Sequence, residues 1–134
     1  MTIIKFKRTD TLSIAVPVGH GGVFKVLTKE QIVYKALISE FNGNSTTAKL
    51  LLPVGTKVYL TYDKCRADQA KVLKMNKLGK AEEVTVARST FNPRFKYKTG
   101  ATIKPQFKFS EEYSKCASGI HFFRTLKEAR KYLR

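Results

Sequence analysis

Gly119-Ile120-His121-Phe122-Phe123-Arg124-Thr125-Leu126-Lys127-Glu128-Ala129-Arg130-Lys131-Tyr132-Leu133-Arg134 closes the chain with two elements of different period. Over Ile120–Phe122 the pattern is that of a short apolar strand, with Ile120 and Phe122 on one face and His121 on the other. Thr125 and Glu128 then have capping-box spacing, which satisfies amide donors at a helix start. Leu126, Ala129 and Leu133 recur at helical spacing and form an inward face. Arg130, Lys131 and Arg134 lie near the helix C-terminus, where the macrodipole favours cations. A strand that feeds a short amphipathic helix ends a chain otherwise rich in strand signals. That pattern predicts an α+β fold, a single domain over 1–134, mainly antiparallel strands with the helix packed on the sheet.

Upstream, period-two alternation and turn residues mark the strands. Residues 2–27 read as short strands around Ile3–Phe6, Leu12–Val16 and Val23–Leu27, with Gly19-His20-Gly21-Gly22 as a connection. That glycine cluster lacks the Lys-Ser or Lys-Thr ending and the following helix of a phosphate loop. Thr28-Lys29-Glu30-Gln31 has capping-box spacing, so one helical turn is expected there. The β-branched and aromatic run Ile32–Ile38 then predicts a strand. Phe41–Ser45 is a loop, and Lys49–Leu52 is an apolar run stopped by Pro53. In Lys57–Tyr62, Val58, Leu60 and Tyr62 share one face, and Lys57, Tyr59 and Thr61 the other. Ala70–Met75 and Glu83–Ala87 flank Asn76–Lys80 as a hairpin with a basic tip. Ser89–Phe109 is looser, with Pro93, Gly100 and Pro105.

The 134 residues suit one domain with a real core. A hydrophobic content of 43% argues against disorder. Twenty-six Lys and Arg against ten Asp and Glu give a formal net charge of +16. Such self-repulsion weakens the compact state, and an acidic partner relieves it. Nucleic acid, an acidic protein surface and an anionic membrane are the candidates. No apolar run approaches the roughly 18 residues of a membrane span, and the alternating N-terminus is not a signal peptide. Cys65 and Cys116 do not make a disulfide framework, so a reducing compartment is expected, with one bridge between them left open.

Catalytic signals are weak. His20 and His121, with Cys65 and Cys116, lack metal-ligand spacing, so no metal and no cofactor are expected. Cys116 and His121 are an equally weak nucleophilic pair. Glu82-Glu83 and Glu111-Glu112 are adjacent pairs that diverge on an extended chain. The stretch Arg88 to Lys108 is richer. Arg88, Arg94, Lys96, Lys98, Lys104 and Lys108 alternate with Phe91, Phe95, Tyr97, Phe107 and Phe109 and contain no acid between them. Cations neutralise phosphates and aromatic faces stack on bases. In the alternative arrangement the aromatics face the core and a basic stripe faces solvent. Period two in Phe95-Lys96-Tyr97-Lys98 fits the second arrangement better. Arg124, Lys127, Arg130 and Lys131 extend the candidate binding set onto the helix, and His121 is the one strand residue there without a structural duty.

From about Val33 to Tyr132 the chain resembles a family of small domains of unknown function. Large DNA viruses and some phages encode them, sometimes beside pentapeptide repeats. The matching residues are Tyr34-Lys35-Ala36, Leu52-Pro53, Lys64-Cys65-Arg66-Ala67 and Ala70-Lys71-Val72-Leu73. Ser89, Phe95-Lys96-Tyr97-Lys98 with Gly100, Cys116 with Gly119-Ile120-His121-Phe122-Phe123, Glu128-Ala129 and Tyr132 complete them. Residues 1–30 are expected to lie outside this region and 33–132 inside it. The resemblance implies a viral source and a virion or host-cell setting, and it supplies no activity. The glycine-led strand and following helix also look like a segment of ADP-ribosyltransferases, in which it helps hold the nicotinamide cofactor. Those enzymes need an acid from a later strand. The chain ending at Arg134 leads to the expectation of a degenerate, non-catalytic relative on that reading.

The leading expectation is a non-enzymatic, basic viral protein that binds an acidic protein surface. It would be a minor virion or capsid-associated component, part of a larger assembly. A DNA- or RNA-binding protein using the basic aromatic stretch is the alternative.

Overall fold

The computed structural model describes residues 4–5, 13–14, 23–39, 43–60, 65–90, 95–105 and 119–133. Its strands, in chain order, are β1 (Ile4–Lys5), β2 (Ser13–Ile14), β3 (Val23–Val26), β4 (Gln31–Ser39), β5 (Ser45–Leu52) and β6 (Lys57–Leu60). They continue as β7 (Cys65–Ala67), β8 (Ala70–Lys77), β9 (Val86–Ser89), β10 (Lys96–Lys98), β11 (Thr102–Ile103) and β12 (Ile120–Phe122). One helix, α1 (Leu126–Tyr132), follows. Every strand pairing is antiparallel. The expected α+β class is the observed one: a single domain with a short C-terminal helix.

A bent ribbon forms the spine. Val23 to Val26 pair with Leu60 to Lys57, and Gln31 to Ile38 pair with Leu52 to Ser45. The register is the same in both ladders, so β3–β4 and β5–β6 are two halves of one long hairpin. Its bend lies at Leu27 and Thr56, where the Leu27 amide donates to the Thr56 carbonyl at 2.9 Å. Pro53 interrupts the ladder, and Gly55 turns the chain at φ 87°. The Thr56 hydroxyl donates to the Pro53 carbonyl at 2.6 Å, which locks the corner. Bending lets one ribbon serve two sheets.

The first sheet has the order β10-β9-β4-β5-β8-β11, and the second β12-β7-β6-β3. In a flat six-stranded sheet, β10 and β11 would lie about 24 Å apart. Their connection, through Thr99, Gly100 and Ala101, reaches about 14 Å at full stretch. The sheet is therefore curled until its edge strands meet. Two bonds carry the β8–β11 ladder on into that turn, Gly100 amide to Val72 carbonyl at 2.8 Å and Val72 amide to Ala101 carbonyl at 3.0 Å. The core fills the curl with Val33, Leu37, Ala48, Leu50, Val72, Met75, Ala87, Tyr97 and Ile103. Leu60, Val58, Cys65, Ala67, Ile120 and Phe122 extend it under the second sheet.

Two local expectations fail. No helical turn forms at Thr28–Gln31, because Gln31 already belongs to β4. The β-branched run from Ile32 outweighs the capping box, and a strand's ladder bonds outnumber those of one helical turn. The hairpin of β8 and β9 also forms only beside its tip. The Val84 amide bonds the Met75 carbonyl at 2.9 Å, and Asn76 bridges Glu83. The chain then leaves β8, and β9 pairs with β4 instead, Leu37 opposite Ser89.

The helix behaves as its sequence indicates. Thr125 Oγ1 accepts from the Glu128 amide at 3.2 Å and donates to Glu128 Oε1 at 2.9 Å. Ala129 is fully buried. α1 packs against β4 and β5, on the face opposite the core, where Ile32, Ala36 and Thr47 are buried as well.

Candidate functional site

The registers decide which way each cation points. Tyr97 stands opposite Ala87, and Ala87 opposite Ser39. All three are buried, so this is the inner face. Alternation then sends Lys96, Lys98 and Arg88 outward. Lys96 and Lys98 are exposed and Arg88 is half-buried. Lys96 is directly opposite Arg88, two like charges on adjacent strands.

A second pair of like charges lies on the same outer surface. Lys49 on β5 is directly opposite Lys74 on β8. A bulge shifts the β5–β8 register between Lys49 and Leu50. The extra residue turns Leu73 and Lys74 outward together. Lys71 therefore shares a face with Lys74, although the two are three positions apart, and it stands opposite Thr102 of β11. Because β10 runs into β11 through a single turn, the two groups join. A belt of cations, exposed except for the half-buried Arg88, passes from Arg88, Lys96 and Lys98 across the turn to Lys71, Lys74 and Lys49 on the outer face of the curled sheet.

The described carboxylates have partners of their own. Lys74 lies 3.9 Å from Glu83, with both side chains exposed. Such a pair contributes at most about 1 kcal/mol. Glu82 pairs with Lys77 at the hairpin tip, and that hydrogen bond and charge hold its carboxyl below the usual range. Asp68 Oδ1 accepts from the Lys57 amide at 2.9 Å. Among the described residues, no carboxylate is within ion-pair distance of Lys49, Lys71, Arg88 or Lys98.

The remaining expected residues are dispersed. Lys104 is exposed just beyond β11, and Lys127 and Lys131 are exposed on α1. Arg124 and Arg130 are half-buried. Arg94 and Lys108 lie outside the described residues, as do Phe91, Phe107, Phe109, Cys116 and His20. The aromatics that are described face inward. Tyr97 is 2% exposed, and Phe95 packs on it with ring centroids 5.3 Å apart. Among the described residues this belt presents charge without a stacking platform. Lys49, Lys71 and Lys74 escaped the sequence reading because a regular strand places residues three apart on opposite faces.

The polar residues of the interior were not anticipated either. On β12, His121 is opposite Arg66 of β7, and Arg66 is opposite Tyr59 of β6. Arg66 is 2% exposed, and its guanidinium carbon lies 4.7 Å from the centre of the Tyr59 ring. Burial lowers the Arg66 pKa and the neighbouring Tyr59 opposes that change. Tyr59, expected on the strand face shared with Lys57, is 8% exposed beneath that cation. Lys35 points into the curl with Val33 and Leu37. Its Nζ donates to the His121 carbonyl at 2.5 Å and lies 5.7 Å from the centre of the Tyr97 ring. Burial pulls its pKa from 10.5 down to about 8, and burial also pushes the Tyr97 phenol well up. Both buried cations had a visible signal: Lys35 is the one charged residue in Ile32–Ile38, and Arg66 lies between Cys65 and Ala67.

Among the described residues, no helix is long and apolar enough to cross a membrane. Residues 14–129 match a family described as a family of unknown function (DUF5758), and the chain belongs to it. An 88-residue stretch is 33% identical to "Uncharacterized protein L223" of Acanthamoeba polyphaga mimivirus. That stretch covers 63% of this chain and 55% of the mimivirus protein, so the chain spans about half the length of this relative. No solved structure matches the chain.

Proposed function

We propose that this member of a viral family of unknown function is a non-enzymatic polyanion-binding protein, acting through the belt of Arg88, Lys96, Lys98, Lys71, Lys74 and Lys49. The observation that carries the reading is the direct opposition of Lys96 to Arg88 and of Lys49 to Lys74. Like charges opposite one another destabilise a sheet by some tenths of a kcal/mol per pair, roughly 0.2–1. An arrangement that costs stability makes physical sense when a ligand neutralises it.

Of the acidic partners, nucleic acid fits best. The belt is continuous around one side of the sheet, which suits a linear run of phosphates. Its described aromatics, Phe95 and Tyr97, are turned inward, which supports contact with the backbone and no reading of bases. A minor virion or capsid-associated component is the setting that joins this activity to the viral family. An acidic protein surface in the same particle is the second reading, favoured by the dispersed cations of α1.

The test is fluorescence anisotropy with a labelled single-stranded DNA of mixed sequence, repeated across salt concentrations. About six phosphate contacts predict a log–log slope near −4. Between 50 and 200 mM salt the affinity then falls by about 300-fold. Absence of binding at 50 mM salt sinks the nucleic-acid reading. Co-purification with acidic capsid proteins, in that event, supports the second. Mass spectrometry of purified particles tests the setting, and absence from them at stoichiometric level removes it.

A further inference from the structure

One row of side chains crosses the outer face of the sheet. Phe123, the residue after β12, is opposite Tyr34 of β4, Tyr34 is opposite Lys49 of β5, and Lys49 is opposite Lys74 of β8. Two backbone bonds of 2.7 and 2.9 Å fix the first of these pairs. Directly opposed residues share a face. Two rings and two cations therefore stand in line over three strand spacings, about 14 Å. α1 adds a third ring at the aromatic end. The Tyr132 ring centroid lies 5.5 Å from that of Phe123, with the planes tilted by 44°. Tyr34 and Phe123 are half-buried, whereas Tyr132 is 52% exposed. Among the described residues it is the one exposed aromatic.

Helix docking does not account for that ring. Ala129 is the buried contact of α1, and Thr125 with Glu128 starts the helix. A tyrosine kept for packing would be turned under, because an aromatic side chain stabilises by burying its area. Tyr132 instead keeps Phe123 at one side and offers the rest of its surface to solvent. Lys127 and Lys131 are exposed on the same short helix. The carboxylate four positions before Tyr132, that of Glu128, is turned to the Thr125 hydroxyl.

We propose that Tyr132, backed by Phe123, is a stacking site for an unpaired nucleobase, with Lys49 and Lys74 holding the phosphates that follow. On the polyanion-binding reading of the belt, from which this follows, the partner is a single strand with its bases free. Lys49 and Lys74 belong to the belt, and the row through them carries on past its edge to the rings. Charge and stacking thus come from adjoining surfaces, the combination that single-strand binders use. Every base has a π-face, so the ring adds affinity without reading sequence. Inside a duplex both faces of a base are covered, and a base-free polyanion has none to offer.

The experiment compares two labelled strands of equal length by anisotropy at 50 mM salt. One is oligothymidylate; the other is built of tetrahydrofuran abasic units, with the same phosphates and no bases. The parent should bind oligothymidylate at least about fivefold more tightly than the abasic strand. Tyr132→Ala should lose this margin while its affinity for the abasic strand stays unchanged. Tyr132→Phe should keep the margin, because the ring remains. Alanine is the best helix former, so α1 persists in the first variant, and helical circular dichroism checks it. Equal affinity of the parent for the two strands overturns the stacking site and leaves the belt intact. A Tyr132→Ala loss of the same size on both strands overturns it as well. Failure of the parent to bind either strand removes the belt reading, and the stacking site with it.

Discussion

Replacing Lys35 by Met removes a buried ammonium and leaves a side chain of similar length. Holding that ammonium at a pKa of about 8 instead of 10.5 corresponds to about 3 kcal/mol against the folded state at pH 7. The variant loses this cost. It also loses the bond to the His121 carbonyl, a loss of about 1–3 kcal/mol if that oxygen is left unsatisfied. Lys35→Met is therefore as stable as the parent at pH 7, or more stable by up to about 2 kcal/mol. The sign of the pH effect follows from the depressed pKa. Between about pH 8 and 10.5 the unfolded chain holds a proton on Lys35 that the folded chain has released. Stability of the parent then rises with pH relative to the variant, by about 1.4 kcal/mol per pH unit. Above that window the parent leads by the worth of the hydrogen bond. Other lysines titrate alike in both proteins and cancel in the difference. Urea unfolding at intervals from pH 7 to 10.5 measures it, with the stability difference changing by about 3 kcal/mol. A difference that stays constant over this range refutes the burial argument.

Two further changes probe the interior and the helix. Gln31 is fully buried, and among the described residues neither atom of its amide has a hydrogen-bond partner. Gln31→Met should raise stability by about 1–2 kcal/mol, read from the urea midpoint, and an unchanged or lower midpoint contradicts it. Thr125→Ala removes the cap that receives the Glu128 amide. Stability should fall by about 1 kcal/mol, and helical circular dichroism should be lost before the sheet signal.

The elements that sequence reads well are those whose determinants are local. Thr125, Glu128 and Ala129 specify the helix among themselves. Ile120 and Phe122 alternate with His121, and both are buried at 2% exposure. The elements it reads poorly depend on a distant partner. Nothing near Val86 says that β9 will leave β8 for β4, since that choice is made by the Leu37–Ser89 and Ile38–Arg88 pairings. The candidate belt shows the same division. Arg88, Lys96 and Lys98 follow from period two, whereas Lys71 and Lys74 share a face only because of a bulge opposite Lys49. The buried position of Lys35 was legible in principle. In a strand that reads as apolar on both faces, a single lysine has no solvent side to take.

The opposed cations also separate a structural cause from a functional one. If the belt existed to stabilise the fold, reversing one of its charges would weaken the fold. Coulomb's law says the opposite. Lys49→Glu places a carboxylate directly across from Lys74, turning a repulsive cross-strand pair into an attractive one. Stability should rise by about 0.5–1.5 kcal/mol at low salt, and the gain should shrink as salt screens it. The same reversal removes one phosphate contact and adds a repulsion. Affinity for single-stranded DNA should drop, and the salt slope should lose about 1 to its magnitude. Urea unfolding and anisotropy on one variant give both numbers. A stability gain with a binding loss means that the pair is held against the interest of the fold. A stability loss means that Lys49 packs its stem on Leu51 or its neighbours in a way that outweighs charge. A gain with unchanged binding removes Lys49 from the belt and leaves the Arg88–Lys96 side as the contact.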